Sequence, residues 1–214
     1  MVTKRMNLEK LEKIDSKKIY QAYDKWPEIA KNSFDNDFEK FDAKGIDHIV
    51  FSGMGGSGSI GDVISAILSK EDIHVSNVKG YHLPKTVDSN SLVVATSISG
   101  NTKETLAVLE KAQKTDAKIA VFSSGGMMQK FSKINNLFFQ EIPMIHSPRA
   151  SFPKFLFSIL NILKEIIPIK KIDVEEAITS LEITRHSIFS NNLTEGNISL
   201  KLAEWIKEIP LIYY

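Results

Sequence analysis

The chain has 214 residues, of which 43% are hydrophobic and 25% are charged, and its formal net charge is +1. This composition is typical of globular domains, and the near-balanced charge excludes bulk electrostatic attraction to nucleic acid or to an anionic membrane. Recognition of an anion must therefore come from a local arrangement of donors. The chain contains no cysteine, which excludes disulfides, thiolate metal sites and cysteine nucleophiles and favours a cytoplasmic location.

The first forty residues are predicted to be helical. Apolar and aromatic residues recur at helical spacing from Ile19 to Ile29. Pro27 lies within that run, and we expect it in the first turn of a second helix, where a missing N–H is tolerated.

Five short apolar runs alternate with helical patterns in residues 48–139. The predicted strands are His48–Ser52, Ile73–Val78, Leu92–Ser97, Lys118–Phe122 and Leu137–Phe139. The helices predicted between them are Ser59–Lys70, Thr102–Thr115 and Met127–Ile134. This alternation predicts an α/β fold with a doubly wound, five-stranded parallel sheet. Ligands of such sheets bind beyond the carboxyl ends of the strands, where the strand order reverses.

After Pro148 the pattern becomes helical. Helices are predicted at Phe152–Ile167, Val174–Ser190 and Glu195–Lys207, and a new apolar strand at Ile209–Tyr214. Prolines and charges interrupt the first segment, so it is better interpreted as a buried or interface helix than as a membrane span. We therefore expect two domains: residues 1–148 form N-terminal helices and a first α/β domain, and residues 149–214 form the helical start and first strand of an incomplete second one.

The first candidate site is a glycine-rich loop after the first strand. Gly53, Gly55 and Gly58 satisfy the pattern G-x-G-x-x-G, which is typical of dinucleotide-binding loops. That function also needs an acidic residue near the end of the second strand, and residues 75–79 contain none. A dinucleotide site and a tight turn without a ligand are therefore the weaker alternatives to a phosphate site.

The second candidate site follows the third strand. Ser97, Ser99 and Thr102 place three hydroxyls within six residues at the start of a predicted helix. Hydroxyls and the free N–H groups of a helix N-terminus suit a tetrahedral phosphate, whereas helix capping would explain only one of the three. The P-loop lysine of nucleoside triphosphate sites is absent, so a phosphomonoester is the expected ligand.

These motifs resemble the SIS (sugar isomerase) domain of phosphosugar enzymes. Residues Gly53–Ser59, Ser97–Leu106 and Ser147–Ala150 are most similar to the archaeal-type bifunctional phosphoglucose/phosphomannose isomerases. The resemblance runs from about His48 to the end of the chain, where Pro210–Tyr213 is similar to the strand that opens the family's second SIS domain. It implies a flavodoxin-like domain followed by the start of a second SIS domain.

The resemblance also implies a set of site residues. The phosphate of a hexose 6-phosphate would be bound by Gly55, Gly56, Ser57, Ser97, Ser99 and Thr102. Arg149 would stabilise the negative charge of an enediolate, a role that suits its permanent charge and fixed planar donors. The alternative for Arg149 is a salt bridge at the surface or at a domain junction. No cofactor is implied. No metal is implied either, because His48, His74, His82 and His186 lack ligand spacing.

The implied reaction is aldose–ketose isomerisation of glucose 6-phosphate or mannose 6-phosphate to fructose 6-phosphate through a cis-enediol. The family's catalytic glutamate and histidine lie further downstream than this chain reaches, so a non-catalytic phosphosugar-binding module is the alternative function. Glu104, Glu141 and His146 are candidate substitutes for the base. Their structural alternatives are a helix-start residue, a solvated strand end and a loop or packing histidine. The family also implies a homodimer.

Overall fold

The computed structural model describes residues 6–41 and 43–206. The N-terminal part contains three short helices, α1 (Leu8–Ile14), α2 (Ile19–Asp24) and α3 (Trp26–Phe34). The helical prediction is confirmed between residues 8 and 34, whereas residues 35–41 are not helical. Pro27 lies in the first turn of α3, where its fixed φ suits the helix.

Strands and helices then alternate. The strands are β1 (His48–Ser52), β2 (His74–Val78), β3 (Ser91–Ser97), β4 (Lys118–Ser123) and β5 (Phe138–Glu141). The helices are α4 (Gly56–Leu68), α5 (Lys103–Ala112), α6 (Gly126–Ile134), α7 (Phe152–Ile162), α8 (Lys171–Ile188) and α9 (Ile198–Ile206).

The five strands form one parallel sheet in the order β2-β1-β3-β4-β5. The predicted doubly wound α/β fold is therefore confirmed. The strand order reverses between β1 and β3. The helix that follows β1, α4, covers one face of the sheet, and the helix that follows β3, α5, covers the other. The loops after β1 and β3 thus open side by side at the carboxyl edge of the sheet.

Helices cover both faces of the sheet. Alternate residues of a strand point to opposite faces, and Ile49 and Phe51 belong to one apolar cluster while Val50 belongs to the other. The first cluster includes side chains from α4 and α7, and the second includes side chains from α5 and α6. Because both faces are buried, the inner strands read as continuous apolar runs in the sequence.

The buried carboxamide of Asn161 connects α7 to the end of the N-terminal helices. Asn161 is 6% exposed, and its amide nitrogen donates to the carbonyl oxygens of Phe34 and Asn36. Its Oδ1 accepts a hydrogen bond from Lys40 Nζ. A satisfied polar group of this kind positions residues 34–40 against the core.

Several helix boundaries differ from the predicted ones. The helix α4 begins at Gly56 rather than Ser59, because the glycine turn leads directly into it. The helix α7 ends at Ile162, five residues early, and turns replace its predicted last part. The helix α8 begins at Lys171 rather than Val174, where the Asp173 carboxylate accepts a hydrogen bond from the Lys170 N–H.

Two predictions concern the C-terminal part of the chain. The last described helix begins at Ile198 rather than Glu195, and the strand predicted at Ile209–Tyr214 lies outside the described residues. Of the helices in the described ranges, none is long and apolar enough to cross a membrane.

Candidate phosphate-binding site

The first loop turns directly from β1 into α4. Gly55 is the N-cap of α4 and has φ +54° and ψ −128°, a conformation that strongly favours glycine. No side chain caps the helix. The N–H groups of Ser57 and Gly58 donate to the Met54 carbonyl at 3.1 and 3.4 Å, so among the described residues it is the Gly56 N–H that remains available at this helix start to bind an anion.

The second loop, between β3 and α5, is packed against the β4–α6 turn. Gly100 has φ +69°, and a Cβ at this position would lie 1.9 Å from the carbonyl oxygen of Gly125. The Asn101 Oδ1 accepts a hydrogen bond from the Met127 N–H at 3.0 Å, and the Met128 N–H donates to the Gly100 carbonyl at 2.9 Å. These contacts hold the backbone of residues 97–102 in one conformation.

The two loops line one shared cavity of about 510 Å³. Its lining includes five hydroxyl side chains, those of Ser57, Ser59, Ser97, Ser99 and Thr102. The other lining residues are Trp26, Met54, Gly56, Ile98, Pro148, Arg149 and Phe152. The cavity thus combines a hydroxyl-rich wall with apolar surface, as small-molecule sites commonly do.

Hydrogen bonds link two hydroxyls within the second loop and join that loop to the first one. Ser97 Oγ lies 2.8 Å from Thr102 Oγ1 and accepts a 3.1 Å hydrogen bond from the Gly100 N–H. Ser57 Oγ accepts a hydrogen bond from the Ile98 N–H at 3.3 Å, which joins the first loop to the second. The Thr102 side chain makes no capping bond to α5, so the simple capping alternative does not account for this threonine.

Arg149 is the one charged side chain among the described residues that line the cavity. It is exposed, and no carboxylate of the described residues forms an ion pair with it. The described residues therefore provide no support for the salt-bridge alternative. A guanidinium beside five hydroxyls can bind the charge of a phosphorylated sugar or of an anionic intermediate.

The structure brings together almost all of the site residues named from the sequence. Gly56, Ser57, Ser97, Ser99, Thr102 and Arg149 all line the cavity. Gly55 does not line it, and its position at the N-cap of α4 gives it a conformational role in the turn.

The three candidate substitutes for the base lie away from the cavity lining. Glu104 is beside Tyr81, where lost hydration and the Glu104 carboxylate raise the pKa of the Tyr81 hydroxyl. Glu141 ends β5 and accepts a hydrogen bond from Gln129. His146 contacts the Lys17 carbonyl at 2.9 Å through Nε2. The structural alternatives fit all three residues.

The remaining histidines lie elsewhere. His48 and His74 begin adjacent strands at the opposite edge of the sheet, and their ring centroids are 4.6 Å apart. His82 and His186 are exposed. In the described ranges, no three side chains of the His, Cys, Asp and Glu types gather as ligands for a metal ion.

The end of β2 is where a dinucleotide fold would bind the ribose. Here Val78 ends the strand, and Lys79 follows it and pairs with Asp62 of α4 at 2.6 Å. Because the Asp62 carboxylate is engaged in this ion pair with Lys79, it is poorly suited to bind ribose hydroxyls. This arrangement disfavours the dinucleotide alternative.

The sequence analysis missed several residues of the cavity. Met54 belongs to the glycine loop and Ser59 to the start of α4 that follows it, so the predicted position of this loop beyond β1 could have indicated both. Trp26 and Phe152 come from helices outside the α/β alternation. No local pattern distinguishes these two aromatic residues from ordinary core residues.

Comparisons with known proteins identify relatives of this chain. Residues 44–137 match the model of the SIS domain family. The bifunctional phosphoglucose/phosphomannose isomerase of Caldicellulosiruptor bescii is 33% identical over 91% of this chain and 56% of its own length. The D-glucosamine-6-phosphate 4-epimerase of Sulfolobus acidocaldarius is 31% identical over 67% of this chain and 45% of its own length.

Solved structures share the fold. The glucosamine-6-phosphate deaminase of Thermotoga maritima superposes with a TM-score of 0.59 and 16% identity, covering 78% of this chain and 52% of that chain. The chain spans about half the length of the curated relatives it matches, 56% and 45% for the two named above.

Proposed function

Because this chain belongs to the SIS-domain family and is homologous to phosphoglucose/phosphomannose isomerases, we propose that its cavity binds hexose 6-phosphates. The observation that carries the proposal is the convergence of five hydroxyls and the starts of α4 and α5 on one cavity. Neutral donors and helix N-termini bind a phosphoryl group without a lysine or a metal ion. Gly56, Ser57, Ser97, Ser99 and Thr102 would surround that group.

The proposed reaction interconverts glucose 6-phosphate or mannose 6-phosphate with fructose 6-phosphate. A base moves a proton between C2 and C1 through a cis-enediol, and Arg149 stabilises the charge that develops on the enediolate oxygens. Among the described residues that line the cavity there is no carboxylate and no imidazole. The proposed base therefore comes from outside this lining. Such a reaction belongs to glycolysis and gluconeogenesis.

The same observation favours a second candidate function, a non-catalytic phosphosugar-binding module. A cavity with phosphate donors and an arginine, but without a base in its described lining, can bind the sugar without converting it. The relatives named above differ in reaction, one being an isomerase and the other a 4-epimerase. Binding of the phosphosugar is thus the part of the function that the described cavity supports most directly.

Calorimetry tests the binding proposal. We expect heat on titration with fructose 6-phosphate and none with fructose. The affinity should be about ten- to a hundredfold lower in Ser99→Ala, which lacks one donor to the charged phosphoryl group. Ser69→Ala, at the exposed end of α4, is the matched control and should bind like the wild type. No heat with any hexose 6-phosphate would contradict the proposal.

An isomerase assay on the 214-residue chain separates the two candidate functions. Conversion of fructose 6-phosphate to glucose 6-phosphate at neutral pH supports the enzyme, and binding without conversion supports the binding module.

Three further predictions accompany this proposal, and they concern the location, the oligomeric state and the domain division. We propose that the protein is cytoplasmic and, as the family resemblance implies, that it forms a homodimer. We also keep the division into residues 1–148 and 149–214 as a prediction. Within the described residues, the side chains of α7 share their apolar cluster with β1 and β3, so this helix packs on the first α/β domain whichever unit it belongs to.

A further inference from the structure

The indole of Trp26 connects two parts of the molecule that are distant in sequence. Trp26 begins α3 and lies outside residues 44–137, the part that matches the SIS family. It nevertheless lines the cavity together with Ser57, Ser99 and Arg149. Its Nε1–H donates a 3.0 Å hydrogen bond to the carbonyl oxygen of Ala150, which lies 124 residues later in the chain.

The segment that carries Arg149, residues 145–151, is held at both ends. The Ser151 hydroxyl accepts a hydrogen bond from the Ile145 N–H at 2.8 Å and lies 2.8 Å from the Ser147 carbonyl oxygen. His146 bonds to the carbonyl of Lys17, which lies in the turn between α1 and α2. Within the described residues, two long-range hydrogen bonds therefore join this segment to the N-terminal part of the chain. The bond from Trp26 reaches the residue next to Arg149, and it therefore bears most directly on where the guanidinium lies.

The indole is held by specific contacts rather than by close packing on every side. It lines the phosphate cavity and also a second, more apolar cavity of about 500 Å³. The Tyr23 ring meets it edge to face, with centroids 5.0 Å apart. Since a ring beside two cavities lacks neighbours there, the bond to Ala150 is a main determinant of its position.

We infer that Trp26 is a sugar-contacting and positioning residue of the hexose phosphate site. Its N–H fixes the Arg149 segment at the cavity, and its ring forms an apolar wall for the C–H groups of a sugar whose phosphoryl group is bound by the hydroxyls. The indole N–H is already engaged, so the ring can offer the sugar only apolar surface, alongside Met54 and Phe152. This inference rests on the proposed function.

Tryptophan fluorescence tests the contact directly, because the chain has only two tryptophans. Trp205 lies on α9 with 67% of its surface exposed and does not line the cavity. In Trp205→Phe, the remaining emission comes from Trp26, and we expect it to change on titration with fructose 6-phosphate. In Trp26→Phe, the emission of Trp205 should not change with the same titrant.

Affinities separate a site role from a purely structural one. Trp26→Phe keeps a ring but loses the N–H, and its affinity for fructose 6-phosphate should fall about five- to tenfold, as for one lost hydrogen bond. Its affinity for inorganic phosphate should stay within about twofold, because the hydroxyl donors are unchanged. Trp26→Leu also removes the aromatic wall and should bind the sugar phosphate more weakly than Trp26→Phe, with the same affinity for phosphate.

The possible outcomes are distinct. If wild-type protein binds fructose 6-phosphate by calorimetry while Trp26 emission stays constant and Trp26→Phe binds equally well, the inference fails and the proposed function stands. An equal loss of affinity for phosphate and for fructose 6-phosphate would show a general structural effect and would also overturn the inference. If the wild type binds no hexose phosphate, the proposed function fails and the inference fails with it.

Discussion

The hydroxyl oxygens of Ser97 and Thr102 lie 2.8 Å apart, one at the end of β3 and the other at the N-cap of α5. Ser97 is almost completely buried, whereas Thr102 is partly exposed towards the cavity. Because Ser97 Oγ also accepts the Gly100 N–H, its own proton is free to point to Thr102 or to a ligand. The pair can therefore present donors to a phosphoryl group.

Thr102→Val removes one hydroxyl and keeps the shape of the side chain. We expect the affinity for fructose 6-phosphate to fall about ten- to a hundredfold, the loss of one hydrogen bond to a charged group. Thr105→Val is the matched control, because Thr105 lies one turn further along α5 and its buried hydroxyl has no partner among the described residues. That control should keep its affinity and should not lose stability. Equal affinities for the two variants in calorimetry would exclude Thr102 from the phosphate site.

Gly100→Ala should strongly destabilise the protein. The positive φ costs an L-residue about 1–2 kcal/mol, and the clash with the Gly125 carbonyl adds about 1–3 kcal/mol of overpacking. Gly45→Ala isolates the first of these effects, since Gly45 has φ +71° and a Cβ there would meet nothing within 4 Å. Urea unfolding followed by circular dichroism should show a clearly larger loss for Gly100→Ala. Equal losses would mean that the loop after β3 can move away from the β4–α6 turn.

His48 should make the stability of the fold depend on pH. The side chain is 5% exposed, and burial, followed by the nearby His74, lowers the pKa of His48 below the usual 6.5. The unfolded chain therefore binds this proton at a higher pH than the folded chain does. Stability is full above about pH 6.5 and is lost as the pH falls through the lowered pKa of the folded state.

The midpoint of urea unfolding at pH 7.5 and at pH 5.5 tests this prediction. His48→Gln removes the titrating group, so its midpoint should change less between the two pH values than that of the wild type. His82→Gln, at an exposed position, should retain the wild-type dependence. The idea is wrong if His48→Gln keeps the full pH dependence.

Asn161→Ala should loosen the attachment of the N-terminal helices to α7. The substitution leaves the carbonyl groups of Phe34 and Asn36 without their donor and Lys40 without its acceptor. We expect a loss of about 2–4 kcal/mol in the free energy of unfolding, because buried groups lose their partners. Asn191→Ala, at an exposed position, should change stability by less than about 0.5 kcal/mol. A similar small change for Asn161→Ala would show that apolar packing alone holds this region.

The α/β fold and half of the cavity lining were predictable because their signals are local. Buried parallel strands read as apolar runs, and the turn from β1 into α4 requires glycine at Gly55. Parallel strands end at one edge, so the positions of the two loops in the sequence implied that they would lie together. The end of α7 was missed, because the apolar residues that follow Ile162 are also buried and resemble a continuing helix.

Trp26 could not have been assigned to the site from its neighbours in the chain. Its helix spacing is that of a core residue, and its hydrogen bond to Ala150 spans 124 positions. The partner of His146 was equally unpredictable from its neighbours. Its position near Arg149 made His146 a candidate base, but in the folded chain its ring contacts the Lys17 carbonyl. Side chains brought together from separate elements leave no periodic trace in the sequence.

Residue order alone was sufficient for the strand–helix alternation, the parallel sheet and the hydroxyl-rich loops, since backbone preference and apolar periodicity act over a few neighbouring positions. The tertiary structure determines which side chains complete the cavity. Trp26 and Phe152 line it in addition to the predicted Arg149. The three candidate bases lie outside the described lining: Glu104, Glu141 and His146. The reason is that cavity walls arise from the packing of distant helices onto the sheet, and this packing depends on the whole core rather than on any one segment.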